Sequence, residues 1–351
     1  MTATNINTDL TVPALVRSII CGERLDDSHT QSLMEALTRG ELSEIQVAAV
    51  LSGLHARGET ATELAATARV FRKAATDFPY EQPTDVADGL IDIVGTGGDG
   101  AHSINISTTA GLVLASMGVH VAKHGNRSVS SRCGAADVLE ELGLDLEASP
   151  QDSAQLLAET NFCFLFAQAY HPAMRFVGPV RRALASPTIF NLVGPLINPA
   201  PLSYQVMGVA NPDLMDLVAQ AMMELGRSRA LVVHGDGMDE IAVHGSTQMR
   251  LVDNGNISTL TLTPEEMGIS THPKSSTRGG DAQENAEITR AILEGTATDA
   301  YMDAVAVNAG AALFVVNRVE SIAEGTAMAM EHMRAGRPAQ HLTTIINRVR
   351  A

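Results

Sequence analysis

The sequence predicts an α/β protein: a mostly parallel central sheet flanked by helices, with a smaller all-helical domain attached. Two observations carry this. From Val12 to about Thr76 apolar residues recur at intervals of three and four, as in Leu33 and Leu37 and then Val47, Val50, Leu51 and Leu54, the period of helices with one buried face. Beyond Pro79 the texture changes to short apolar runs, each followed by glycine or polar residues and then a helical pattern. Parallel strands joined by crossover helices read this way.

Composition is compatible with that plan and excludes several functions. A chain of 351 residues, 45% of them hydrophobic, can bury one large or two moderate cores. A net charge of -16 argues against a general nucleic-acid or anionic-membrane binder, which needs surplus positive potential. Tryptophan is absent and aromatics make up 3%, too few for a platform that stacks single-stranded bases. Cys21, Cys133 and Cys163 are far apart and form no CxxC pair, so neither a disulfide framework nor a cysteine zinc site is expected, and a reducing cytoplasm fits. Met1 to Val12 lacks the basic-then-apolar pattern of a secretion signal, and no apolar run approaches membrane-spanning length.

Taken in order, Gly40 and Gly58 separate the early helices; Leu42, Ser43 and Glu44 precede the third, and Glu59, Thr60 and Thr62 mark another start where hydroxyls can cap free amides. Pro79, Gln82 and Pro83 read as a linker. Strands are expected at Leu90 to Val94, Val119 to Ala122, Phe162 to Phe166, Tyr204 to Val209 and Ala230 to His234. Gln168 to Ala200 interrupts the alternation with a helical stretch around Ala173 to Leu184 and a Gly/Pro-punctuated loop, Asn191 to Pro199, expected to pack back on the N-terminal helices. The expected division is therefore residues 1–84, joined by about 171–200, as the helical domain, and 85–170 with 201–351 as the α/β domain. Asp253 to Gly280 reads as a polar excursion and Ala304 to Val316 as a buried helix.

Ligands of parallel sheets sit beyond the carboxyl ends of the strands, so the chemistry is expected in the loops there. Gly95-Thr-Gly-Gly-Asp-Gly100 follows a strand and leads into a helix that opens with Asn105, Ser107 and Thr108, so its backbone amides can converge on anionic oxygens. A tight turn before a capped helix is the plainer alternative. The string also satisfies G-x-G-x-x-G, but a nicotinamide fold wants an acidic residue about 20 positions on. Lys123-His124 stands there instead, and Asp99 inside the loop would repel a pyrophosphate unless water, a donor or a metal intervened.

Lys123-His-Gly-Asn-Arg-Ser-Val-Ser-Ser131 packs cations, an imidazole, an amide and hydroxyls around a glycine, a donor density suited to wrapping a diphosphate and poorly suited to a core. Its bland alternative is a solvated turn. His120 and His124 have a zinc-like spacing with no third ligand, so His120 reads as structural. Asp239 and Glu240 follow a strand and supply the hard oxygens that suit Mg²⁺, although such turns are often merely solvated. Tyr170, His171 and Arg181-Arg182 flank the inserted helix; arginine pairs bidentately with carboxylates, while Arg182 reads as a solvated helix surface.

In order and spacing, GTGGDG, Asn105-Ile-Ser-Thr108, KHGNRSVSS, GPLINP and Met238-Asp-Glu240 resemble the anthranilate phosphoribosyltransferase family over nearly the whole chain. The resemblance implies the nucleoside phosphorylase/phosphoribosyltransferase type of fold, with a homodimer built through the helical domain. It implies transfer of phosphoribosyl from phosphoribosyl pyrophosphate to the amine of anthranilate, with Mg²⁺, in tryptophan synthesis. Carried over by motif, Gly95, Gly98, Asp99, Ser103, Asn105, Ile106, Ser107 and Thr108 would hold the sugar diphosphate. So would Lys123, His124, Gly125, Asn126, Arg127, Ser128, Val129, Ser130 and Ser131, with Ala135 contributing backbone. Ser107, Asp239 and Glu240 would hold the metal, with Lys123, Asp239 and Glu240 carrying catalysis. Gly95, His124, Asn126, Tyr170, His171 and Arg181 would line the anthranilate path, Arg181 meeting the carboxylate. Arg132-Cys133-Gly134-Ala135 departs from the family's more serine-rich run, which leaves backbone rather than hydroxyl contacts there. A pyrimidine nucleoside phosphorylase, or a nucleic-acid-binding relative on the same fold, is the competing reading.

Overall fold

The computed structural model describes residues 10–80, 89–128 and 132–349. The linker positions Gln82 and Pro83 and the loop residues Val129, Ser130 and Ser131 lie outside the described residues. Four helices open the fold: α1 (Val12–Ile20), α2 (Asp27–Thr38), α3 (Glu44–Arg57) and α4 (Ala61–Lys73). The hydroxyls of Ser43 and Thr60 each accept from the third amide of the helix that follows, and Gln46 and Glu63 reach back to close both capping boxes.

Among the described residues seven strands form one sheet: β1 (Leu90–Gly95), β2 (Val121–Gly125), β3 (Phe162–Phe166), β4 (Leu202–Gly208), β5 (Arg229–Gly235), β6 (Thr247–Asp253) and β7 (Asn256–Leu262). Their order is β3-β2-β1-β4-β5-β6-β7. The first five are parallel, and β6 and β7 add an antiparallel edge. Between β1 and β2 lies α5 (Ile106–Ser116), and between β2 and β3 lie α6 (Ala135–Leu142) and α7 (Pro150–Thr160). The inserted segment holds α8 (Ala167–Tyr170), α9 (Gly178–Leu184) and α10 (Phe190–Leu196); α11 (Met215–Glu224) joins β4 to β5. The chain closes with α12 (Ala282–Leu293), α13 (Asp299–Val315), α14 (Ile322–Arg334) and α15 (Arg337–Val349).

Two large cores cover the two faces of the sheet. Ile91 and Ile93 of β1 pack with α5 and α13 on one face. On the other, α1 to α4 share a core with Val177, Val193 and Leu196 of the inserted segment and with Met215 and Met222 of α11. The inserted segment therefore packs on the N-terminal helices. Phe190 meets Phe71 of α4 edge to face, ring centroids 4.9 Å apart.

Three local expectations need correction. Asn191 to Pro199 is not a loop throughout, because Phe190–Leu196 forms α10. Burial of Phe190, Leu192, Val193 and Leu196 outweighs the poor helix propensity of Gly194 and of Pro195, which lacks the amide that would bond the carbonyl four residues back. The polar excursion after Asp253 begins with a hairpin: Asn254 (φ 46°) and Gly255 (φ 81°) turn β6 into β7. The Asn-Gly dipeptide was the available signal, masked because β7 is a largely exposed edge strand with little hydrophobic alternation. Finally, β2 runs on through Lys123 and His124 to Gly125, since its ladder with β3 continues to Gly125↔Phe166 whatever the side chains.

Candidate active site

Chain order reverses at β1, whose neighbours β2 and β4 lead away in opposite directions, making the carboxyl ends of β1 and β4 the crevice of the sheet. Gly95 and Gly208 end these strands in register. Both must lack a Cβ, because one at Gly208 would overlap the backbone of Asp239 and one at Gly95 would strike its carboxylate. Glycine thus lets the loop after β5 lie directly across the two strand ends. The resulting cleft, about 1550 Å³, collects the loops after β1, β2 and β5 and the N-terminus of α5.

Three carboxylates converge on its floor. Asp239 Oδ2 accepts from Gly97 N at 2.6 Å, Asp99 Oδ2 from Asp239 N at 3.4 Å, and Glu240 Oε1 from Ser107 N, the second amide of α5, at 3.1 Å. Burial, then the charges of Glu240 and Asp99, hold the Asp239 carboxyl well above the usual carboxylate range. Burial pushes Glu240 up to about 7, against the lowering effect of Lys123. Acids that resist ionisation together are under-compensated. Hard oxygens in that condition fit Mg²⁺, which takes one or two carboxylates and completes its shell with water and phosphate. Among the described residues no group of three His, Cys, Asp or Glu side chains is placed to hold a metal ion by itself.

Lys123 is 2% exposed, not part of a solvated turn. Its Nζ donates to Ile93 O at 2.5 Å across the β1–β2 pair. Burial lowers its pKa, while Asp92 and Glu240 oppose that shift. Asp92 is itself wholly buried in β1 and is pushed to about 6 by burial despite Lys123. An aspartate inside the apolar run Leu90 to Val94 is the sequence signal that a cation lies nearby.

A second cavity of about 760 Å³ shares Gly95, His124, Asn126, Arg181 and Pro195 with the cleft. Met174, Phe190 and Ile197 add apolar wall, and Arg181 faces it with a pKa lowered by burial. Arg181 Nη2 touches Asn191 Oδ1 at 3.5 Å. The imidazoles of His124 and His171 meet Nε2 to Nε2 at 3.1 Å. Burial holds His124 well below its ordinary pKa and pushes His171 down to about 4. Both rings are therefore neutral in the folded protein and protonate near pH 6.5 when unfolded. Their contribution to stability is complete above about pH 6.5 and is lost as pH falls through the folded values. The melting temperature should accordingly fall between pH 6.5 and about 4. His171→Phe should show a shallower fall by scanning fluorimetry; an identical slope in both proteins would contradict this account.

The structure brings most of the expected residues together. Gly98, Asp99, Ser103, Asn105, Ile106, Ser107, Thr108, Lys123, Gly125, Arg127, Ser128 and Ala135 all line the main cleft. Arg127 points its guanidinium at α6, where both nitrogens pair with Glu140 at 2.7 and 2.9 Å. Arg182 is exposed. Tyr170 is the correction: it lines neither cavity but lies 3% exposed in a separate cluster, edge-on to Phe78. Its position at the end of α8 turns it under the sheet, while His171, one residue on, faces the cavity. Thr96, Gln168, Phe190, Asn191, Gly194 and Pro195 were missed as wall residues. The last four lie in or beside the GPLINP segment, whose punctuation was the signal.

This arrangement has close counterparts. Residues 13–75 match the glycosyl transferase family, helical bundle domain, and residues 87–339 the glycosyl transferase family, a/b domain. Anthranilate phosphoribosyltransferase of Shewanella putrefaciens (strain CN-32) is 44% identical over 324 residues, 92% of this chain and 93% of that one. That of Tolumonas auensis is 44% identical over 327 residues, covering 92% and 95%. The crystal structure of anthranilate phosphoribosyltransferase from Thermus thermophilus superposes with a TM-score of 0.90 at 43% identity, covering 96% of this chain and 99% of that one. The Saccharomyces cerevisiae enzyme in complex with PRPP and Mg shares the fold, with a TM-score of 0.87 at 24% identity over 98% and 99% of the two chains. With curated relatives at this identity along nearly its whole length, the chain belongs to the anthranilate phosphoribosyltransferase family.

Proposed function

We propose that this chain transfers the phosphoribosyl group of phosphoribosyl pyrophosphate to the amine of anthranilate, with Mg²⁺, as a step of tryptophan synthesis. One observation carries the reading: a polar cleft with a helix N-terminus, a buried lysine and paired carboxylates opens directly into a more apolar cavity that carries one arginine. The two halves fit an anionic sugar diphosphate and an aromatic acid, and they meet at Gly95 and His124.

The amide-rich loop after β1 and the first turn of α5 would cradle the phosphates. Asp239, Glu240 and Ser107 would hold Mg²⁺, which when bound supplies Lewis-acid stabilisation of the pyrophosphate. Lys123 would add positive charge where the pyrophosphate departs. The amine needs no activation by a strong base; the protein holds it beside the anomeric carbon and excludes water, so the C–O bond to pyrophosphate breaks as the C–N bond forms and nitrogen sheds a proton. Alignment of this kind removes up to about 7–11 kcal/mol of barrier in favourable cases.

The reading includes the two-domain division at 1–84 with 171–200, which the shared core of the inserted segment and the first four helices supports. It also includes a cytoplasmic homodimer through the helical domain. Ile20 (62% exposed) on α1 and Ile45 (83%) at the start of α3 leave apolar surface there for a second copy. Among the described residues no helix is long and apolar enough to cross a membrane.

Loss of anthranilate fluorescence on mixing protein, Mg²⁺ and phosphoribosyl pyrophosphate, with each omitted in turn, tests the reaction; no loss in the complete mixture refutes it. Arg181→Ala should raise the anthranilate KM by roughly 10- to 100-fold, the worth of a charged hydrogen bond of about 1.5–3 kcal/mol. The KM for phosphoribosyl pyrophosphate should barely move, and the reverse pattern would remove the carboxylate role.

A further inference from the structure

Behind the wall of the apolar cavity lies a set of buried polar side chains that line neither cleft themselves but bond residues that do. Asn198, 0% exposed, follows α10. Its Nδ2 donates to Asp92 Oδ2 on β1 at 2.9 Å and to Ala122 O on β2 at 2.8 Å, and its Oδ1 accepts from Ala200 N at 2.9 Å. Both donor hydrogens and an acceptor position are thereby used. Asp92 Oδ2 also accepts from the backbone N of His124 at 3.4 Å. From the next strand Gln205, also 0% exposed, donates through Nε2 to Pro195 O at 2.7 Å and accepts from Arg227 Nε at 3.0 Å. Three strands, β1, β2 and β4, thus grip the segment that supplies Gly194 and Pro195 to the cavity wall, and one of the grips ends on His124, the residue opposite.

We infer that Asn198, Asp92 and Gln205 are positioning residues for the acceptor half of the site: they fix the spacing between His124 and Gly194-Pro195 and so set the fit of the aromatic acceptor. Buried polar groups cost stability unless paired, and an apolar core would hold α10 down as well. What directional bonds add is a fixed register between α10 and β2, which an aromatic slot needs. The phosphate half has its own supports in the loop after β1 and in α5, and of this set only Asp92, the counter-charge of Lys123, also reaches it. The inference rests on the proposed reaction.

The test is steady-state kinetics of Asn198→Ala and Gln205→Glu beside wild type, each first shown by melting to be folded; Asp92 is left in place because it also balances Lys123. Gln205→Glu keeps an acceptor for Arg227 and replaces the donor to Pro195 O with a carboxylate oxygen that repels it. Expected is a rise of about tenfold in the anthranilate KM for each folded variant, with the KM for phosphoribosyl pyrophosphate close to wild type. Two bulkier ring-substituted anthranilates should be discriminated less sharply than by wild type. A merely structural role would lower the amount of active enzyme and leave both KM values and the discrimination unchanged, and that result overturns the inference, as does a parallel rise in both KM values. Wild-type turnover with unsplit KM values defeats this inference alone; no wild-type turnover defeats the reaction and the inference together.

Discussion

Lys123→Met should lower kcat about 100- to 1,000-fold with little change in the anthranilate KM. Methionine keeps most of the length of the side chain and removes the charge, with its bond to Ile93 O, from a site where it is held almost dry, at 2% exposure. In such surroundings a fixed cation interacts far more strongly with developing negative charge than it would in water. The ammonium is anchored by Ile93 O and balanced by Asp92 and Glu240, so it needs no reorganisation as pyrophosphate leaves. The substitution also strips both carboxylates of their nearest opposing charge, and some loss of melting temperature is expected with it. Rates are therefore to be compared per folded molecule, at saturating substrates. A kcat within a few-fold of wild type in that comparison would leave Lys123 a structural counterion and nothing more.

Lys123 also separates what a sequence discloses from what it hides. The loops can be picked out because their chemistry is local: GTGGDG needs positive φ at Gly97, Gly98 and Gly100, and those glycines lie together in the chain. Helix starts at Ser43 and Thr60 are legible for the same reason. The strand Phe162–Phe166 matches its expected span to the residue, since an apolar core strand bounded by polar residues has one interpretation. Hidden from the sequence is which side of an element a polar residue takes. Lys123 and Tyr170 advertise their polar tips; the sheet buries the first beneath the cleft, and the second packs against Phe78 away from it. Asp92 and Asn198 are brought together from positions 106 residues apart. No periodicity announces a contact of that kind.

Asp239→Asn combined with Glu240→Gln should cost at least about 100-fold in kcat/KM for phosphoribosyl pyrophosphate, flatten the Mg²⁺ dependence, and leave the fold as stable as wild type or more so. The two signs come from one cause. Asp99, Asp239 and Glu240 crowd the floor of the cleft, and burial with mutual repulsion holds the last two above the usual carboxylate range. Amides of the same shape retain an oxygen for Gly97 N and Ser107 N, so the backbone bonds survive while the repulsion goes. Function loses what stability gains, because neutral amides bind Mg²⁺ weakly and the several kcal/mol that a metal contributes to charge stabilisation goes with it. A loss of about 3 kcal/mol is already a hundredfold in rate. Melting temperature and a Mg²⁺ titration of kcat/KM, measured on the same preparations, separate the possibilities. Falling stability together with falling activity would make the pair structural, and an unchanged titration would place the metal elsewhere. Rising stability with lost activity is the signature of carboxylates kept under strain for a cation.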